Sequence, residues 1–88
     1  MNTKNNRRRR DSVEKIEKAF VEMLQTKELR EISVSDICKQ TGLNRSTFYA
    51  NFLDVYDLAD KFADKMAENF SEFLNSNNVS ENTGALLV

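Results

Sequence analysis

The segment from Arg45 to Asn51 carries side chains whose chemistry suits the base edges and the backbone of a nucleic acid. An arginine such as Arg45 can donate two hydrogen bonds to O6 and N7 of guanine, which discriminates against other bases by about 1–3 kcal/mol. Ser46 and Thr47 are short donors suited to a phosphate or a close base contact, and Asn51 suits a phosphate. Tyr49 can offer its hydroxyl to a phosphate and its ring to a thymine methyl group.

Simpler roles stay open for some of these residues. Arg45 can make a plain phosphate contact or a salt bridge, and Tyr49 can be a partly packed surface tyrosine. Ser33 and Ser35 lie just upstream, at the start of another predicted helix. Helix N-termini present free backbone N–H groups and positive potential, so both serines suit a phosphate contact, although Ser33 is a good helix cap in any protein.

The rest of the composition argues against an enzyme. The 88-residue chain has no histidine, which is the commonest general base and metal ligand. We expect Cys38 to be a packed thiol, because no histidine is present to activate it. No nucleophile–base pair, metal-ligand spacing or phosphate-binding loop occurs, so we predict no catalytic residue, no metal site and no cofactor. One cysteine and no long apolar run favour a reducing cytoplasm over a membrane.

The two halves of the chain differ in charge. Residues 1–45 hold eleven lysines and arginines against seven acidic residues, a net charge of +4, whereas residues 46–88 have a net charge of −5. A DNA-binding surface would therefore use the first half. We predict residues 1–10 to be a flexible basic arm that follows a groove or the phosphate backbone, or else a solvated terminus. Its arginines are Arg7, Arg8, Arg9 and Arg10.

Three helix starts follow one another closely, and each repeats the same device. An apolar residue precedes a polar cap, and a second apolar residue follows five positions after the first, which is the spacing of a hydrophobic staple. Asp36 and Asp57 each follow a cap by three residues, where a carboxylate can complete a capping box. The staple pairs are Ile32 and Ile37 around Ser33, Leu43 and Phe48 around Asn44, and Leu53 and Leu58 around Asp54.

These signals predict four helices. On the third, Phe48 and Phe52 should anchor one side to the core, so the outward side is centred on Ala50, between Ser46 and Thr47. The predicted bounds are Asp11 (the cap) or Ser12 to Gln25, Val34 to Thr41 before Gly42, Arg45 to Phe52, and a fourth helix after Asp54 to about Leu74. A short helix between two others is the geometry of a DNA-reading helix-turn-helix, with the starts of the second and fourth helices on the two phosphate strands.

Residues 33–58, SVSDICKQTGLNRSTFYANFLDVYDL, resemble the helix-turn-helix signature of the TetR family of bacterial transcriptional regulators. The matching residues are Ser33, Ile37, Gly42, Leu43, Thr47, Phe48, Tyr49, Phe52 and Leu58. With the first helix, the resemblance covers residues 11–75. It implies an all-α fold, in which a three-helix, homeodomain-like helix-turn-helix domain (11–53) is followed by a longer fourth helix (54–75).

The resemblance also implies a function and partners. The chain would be the DNA-binding domain of a transcriptional regulator, a repressor in this family's usual mode, that acts on a palindromic operator in double-stranded DNA. By this resemblance Arg45, Ser46, Thr47 and Tyr49 fall on positions that contact bases or phosphates, and Asn51 falls on one that contacts phosphate. With the helix-start argument, we predict base contacts for Arg45, Ser46 and Tyr49, and phosphate contacts for Ser33, Ser35, Thr47, Tyr49 and Asn51. Members of the family carry a further helical domain that dimerises and binds a small-molecule effector. We therefore expect residues 76–88 to be a loop and the start of that domain, and the full-length protein to be a homodimer.

Two departures from the family pattern limit what the resemblance implies. Val55 stands where the family usually has a lysine that contacts phosphate, and Ala50 and Asn51 are smaller than the residues often found there, so the operator cannot be copied from a relative. A different class of function is also open. The wide apolar face of the fourth helix, with Phe62, Phe70 and Phe73, could dock a partner, which would make the chain a helical protein-interaction module.

Overall fold

A computed structural model describes residues 3–76 of the chain. Within this range the protein is all helical, as predicted, with four α-helices and no strand. The helices are α1 (Thr3–Leu24), α2 (Val34–Thr41), α3 (Arg45–Asn51) and α4 (Val55–Ser76), and a 3₁₀ turn, Leu29–Glu31, precedes α2. The predicted loop and apolar stretch over residues 77–88 lie outside the described residues.

The first helix begins earlier than the sequence signals predict. Asp11 is not its cap but lies inside α1, and Arg7 to Arg10 occupy helical turns rather than an irregular arm. The residues before Asp11 include neither glycine nor proline, and arginine and lysine are good helix formers, so nothing in this stretch interrupts the helix. The arginine side chains are exposed and turn by about 100° from one residue to the next.

The core lies where α1, α2, α3 and the first turns of α4 meet. Phe20, Ile37, Phe48 and Leu58 are almost completely buried, and no polar or charged residue is buried among residues 6–76. Cys38 packs against this cluster as predicted, and so do Leu29 and Phe62, whose ring meets that of Phe20 edge to face at 6.1 Å between centroids. The other buried apolar residues are Ile16, Ala19, Met23, Ile32, Phe52 and Val55.

The start of α2 and its end follow the predicted local chemistry. The Ser33 hydroxyl accepts a hydrogen bond from the Asp36 backbone amide (3.0 Å), and the Asp36 carboxylate accepts one from the Ser33 amide (3.3 Å), which is a complete capping box. Gly42 ends the helix in the left-handed conformation, at φ 77°, with its amide bonded to the Cys38 carbonyl. The chain therefore turns sharply between α2 and α3.

Two other predicted helix starts differ in detail. Asn44 occupies the cap position of α3, but its side chain makes no capping hydrogen bond. Leu53 is 80% exposed, so the predicted staple between Leu53 and Leu58 is wrong. The start of α4 is held by carboxylates instead: Asp54 accepts the Asp57 amide, and Asp57 accepts the Leu53 amide, each at 2.8 Å.

Candidate nucleic-acid interface

One side of α3 is fixed in the core and the other faces solvent. Phe48 is fully buried, whereas Arg45, Ser46 and Ala50 are exposed. Tyr49 is 52% exposed, and its ring lies edge to face against Phe48 at 5.4 Å between centroids. Among residues 6–76, no hydrogen bond involves the Tyr49 hydroxyl. The short helix thus presents small side chains at the centre of its outer side and longer donors around them.

Arg45 is linked to the start of α2. Its Nη2 donates a hydrogen bond of 3.0 Å to the hydroxyl oxygen of Ser35, which is half-buried in the first turn of α2. The sequence predicts separate roles for these two residues, a base contact and a phosphate contact. In the structure they form one unit, in which Ser35 fixes one end of the guanidinium while its remaining N–H groups stay available to an acceptor.

The arginines of α1 meet the outer side of α3 in a shared groove. Helical phase decides which of them take part, because Arg8, Arg9 and Ser12 line this groove while Arg7 and Arg10 do not. A guanidinium pair beside small side chains makes the groove positively charged and sterically open. Its α3 wall consists of Ser46, Thr47, Ala50 and Asn51.

The two half-buried polar residues of α3 are partly engaged within the protein. The Asn51 side-chain nitrogen donates to the Thr47 carbonyl at 2.9 Å, which leaves its side-chain oxygen outside that bond. The Asn51 backbone carbonyl accepts a hydrogen bond from the Lys61 ammonium group on α4, at 3.3 Å. Lys61 also pairs with Asp57 at 3.2 Å and lies 5.6 Å from the centre of the Phe52 ring. One ammonium group therefore joins the end of α3 to α4.

The starts of α2 and α4 both carry carboxylates. Hydrogen bonding by the Ser33 side chain and amide, with the nearby Lys27, lowers the pKa of Asp36. The hydrogen bond from the Leu53 amide, with Lys61 adding to it, lowers the pKa of Asp57. Both groups are therefore ionised at neutral pH. At α4, Asp54 and Asp57 place negative charge beside the helix terminus, which disfavours the phosphate contact that its position suggested.

Two features of this surface were not predicted from the sequence. Ser12 joins the groove through α1, and the only signal for it is its spacing of four from Arg8 along a helix. Lys61 carries the same kind of signal, since it follows Asp57 by four residues. Val55 is buried, so it offers no side chain to a phosphate.

Other kinds of site are not represented in the described part of the chain. Residues 3–76 contain no group of three or more histidine, cysteine or carboxylate side chains placed to hold a metal ion. Within the same range, no helix combines the length and apolar character that crossing a bilayer requires.

A family model described as "Family of unknown function (DUF6262)" matches residues 1–83. No curated protein and no solved structure matches the chain.

Proposed function

The chain belongs to DUF6262, a family of unknown function, and we propose that it is a sequence-specific DNA-binding domain of a TetR-like transcriptional regulator. In this proposal α2 and α3 form the helix-turn-helix, and α3 enters the major groove. The observation that carries it is the shared groove, where Arg8 and Arg9 of α1 flank the exposed outer side of α3.

The dimensions of α3 suit this role. An α-helix with its side chains is about 10–12 Å across, which fits the major groove of B-DNA, about 12 Å wide, and the seven residues of α3 extend about 10 Å along it. Ser46 and Ala50 have short side chains, so the helix axis can approach the base edges closely. Phe48 and Phe52 hold the opposite side in the core, which fixes the orientation of the outer side.

In this proposal the arginines of α1 contribute mainly to affinity, and Arg45 of α3 contributes mainly to sequence specificity. Arg8 and Arg9 would neutralise phosphates beside the groove, and such contacts supply most of the affinity for any DNA sequence. Arg45, oriented by Ser35, would read a base edge, with guanine as its best partner. Tyr49 would add a phosphate or thymine contact through its unoccupied hydroxyl or its exposed ring.

The carboxylates of α4 give the proposed interface a boundary. Asp54 and Asp57 disfavour phosphate, so the DNA would lie over α3 and the N-terminal half of α1 and not over the start of α4. In the longer protein that the TetR resemblance implies, two such domains would face the half-sites of a palindrome.

The test is selection of bound sequences from random duplex DNA with the chain and with Arg45→Ala. The parent chain should enrich a motif that contains a guanine at one fixed position. Arg45→Ala should lose that preference, by about 1–3 kcal/mol, while its affinity for random duplex changes little. Arg30→Ala is the matched control, because Arg30 is exposed and pairs with Glu28.

Two results would contradict the proposal. Equal losses on selected and random DNA for Arg45→Ala would mean that this residue does not read bases. Absence of any duplex binding by the parent chain at low salt would remove the DNA-binding function altogether, because electrostatic contacts are strongest there.

A further inference from the structure

The second half of α4 carries an apolar surface that the core does not use. Val55 and Leu58 are buried and Phe62 packs against the core, but Met66 is 43% exposed and Phe70 is 62% exposed. We define the outer face of α4 as Ala63, Met66, Ala67 and Phe70, all of which are exposed. Helical spacing puts these four side chains within an arc of about 100°.

An acidic flank runs beside this face. Asp60, Asp64 and Glu68 are exposed and follow one another at steps of four residues. The first of them lies about 20° beyond Ala67 around the helix, so the flank borders the face directly. Among the side chains of residues 6–76, no salt bridge engages any of the three carboxylates.

The lysines of α4 do not neutralise this flank. Lys61 pairs with Asp57 at 3.2 Å, and Lys65 pairs with Glu17 on α1 at 3.0 Å. Both cations are therefore held on the side of α4 that faces the body of the protein. The outer face is bordered on one side by net negative charge that has no partner among the described residues.

We propose that the outer face of α4 docks an amphipathic helix of another protein, whose apolar stripe is bordered by lysine or arginine. Met66 and Phe70 supply the apolar contact, and Asp60, Asp64 and Glu68 select a basic flank on the partner. A second copy of this chain fits less well. In an antiparallel pair of identical helices each flank meets its own counterpart, which would set these carboxylates against each other.

The test uses the full chain, without DNA, and two synthetic three-heptad helices that share one leucine stripe. One peptide carries lysine on its flanks and the other carries glutamate. Titration calorimetry should show the lysine peptide binding at least about tenfold more tightly, with an affinity that falls as salt rises. This measurement is independent of the proposed DNA-binding function.

Matched variants locate the binding surface. Phe70→Ala should weaken binding of the lysine peptide about tenfold or more, whereas Leu53→Ala, at another exposed apolar position, should not. Asp64→Lys should weaken binding several-fold, whereas Asp11→Lys, which makes the same charge change at an exposed position of α1, should leave it unchanged.

Three results would overturn the proposal. Equal affinity for the two peptides would remove the role of the acidic flank. Failure of both peptides to bind would remove the docking site. Concentration-dependent self-association that Phe70→Ala abolishes, without peptide binding, would assign the face to a second copy of the chain.

Discussion

The positions of the four arginines around α1 allow a test of whether they bind DNA through specific phosphate contacts or only through their net charge. Arg8 and Arg9 line the groove with α3, while the neighbouring Arg7 and Arg10 do not. We compare two double variants, Arg8→Gln with Arg9→Gln and Arg7→Gln with Arg10→Gln. Each removes two positive charges from the same turns of α1, and glutamine keeps a good helix propensity.

The expected magnitude follows from the two phosphate interactions that the groove variant removes. Each phosphate contact adds about 0.9 to the slope of log affinity against log salt, so the groove variant should have a slope smaller by about 1.8. If this contribution vanishes near 1 M salt, the affinity at 0.1 M falls about 60-fold. The other variant loses only longer-range attraction, which salt screens over about 10 Å, and should weaken binding less than about fivefold.

Fluorescence anisotropy of a labelled random duplex across a salt series measures both slopes. Circular dichroism on each variant checks that α1 keeps its helix content. Equal losses in the two variants would refute the reasoning, because the arginines would then act as undirected charge. If neither variant lost affinity, α1 would have no part in DNA binding.

Two further predictions concern the elements that hold α3. Gly42→Ala should lower the free energy of unfolding, measured by urea denaturation, by about 1 kcal/mol. Gly42 has φ 77°, and an added Cβ would meet no atom within 4 Å, so only backbone strain contributes. An unchanged denaturation midpoint would contradict this. Asp57→Asn should destabilise the fold at pH 7 and progressively less as the pH falls below 3.8. The Leu53 amide, with Lys61, lowers the pKa of Asp57 from 3.8, so its carboxylate stabilises the folded state above that value and loses this effect as the pH falls through the lower, folded pKa. The exposed Asp60→Asn is the control, and a pH-independent difference for Asp57→Asn would show that its charge is not the cause.

Features set by local chemistry could be predicted from the sequence. The capping box of Ser33 and Asp36 and the left-handed Gly42 depend on residues within one turn of each other, and both are present. The spacing of Phe48 and Phe52 likewise placed one side of α3 in the core. These features fix α2, α3 and the turn that joins them.

Features set by neighbouring elements could not be predicted in the same way. Asp11 and Glu14 have the spacing of a capping box, but such a pair starts a helix only when the residues before it are not helical. Here the preceding residues are helical as far back as Thr3. Leu53 has the spacing of a staple, yet the position of the chain between α3 and α4 leaves it exposed.

In the candidate site, too, local features could be predicted and contacts between helices could not. The outward orientation of α3 followed from its own periodicity. The bond between Arg45 and Ser35, and the groove that Arg8 and Ser46 share, depend on how α1, α2 and α3 cross, which no local pattern encodes.

The wholly apolar core has a consequence for how this fold tolerates change. Among residues 6–76 no polar side chain is buried, so no hydrogen bond inside the core restricts which residues can pack there. The core therefore constrains the total side-chain volume more than the identity of each residue. Directional information resides at the surface instead, in Gly42 and in the carboxylates that bind backbone amides at the starts of α2 and α4. Sequences that share this architecture should therefore vary more freely among aliphatic and aromatic residues inside than at these few positions outside the core.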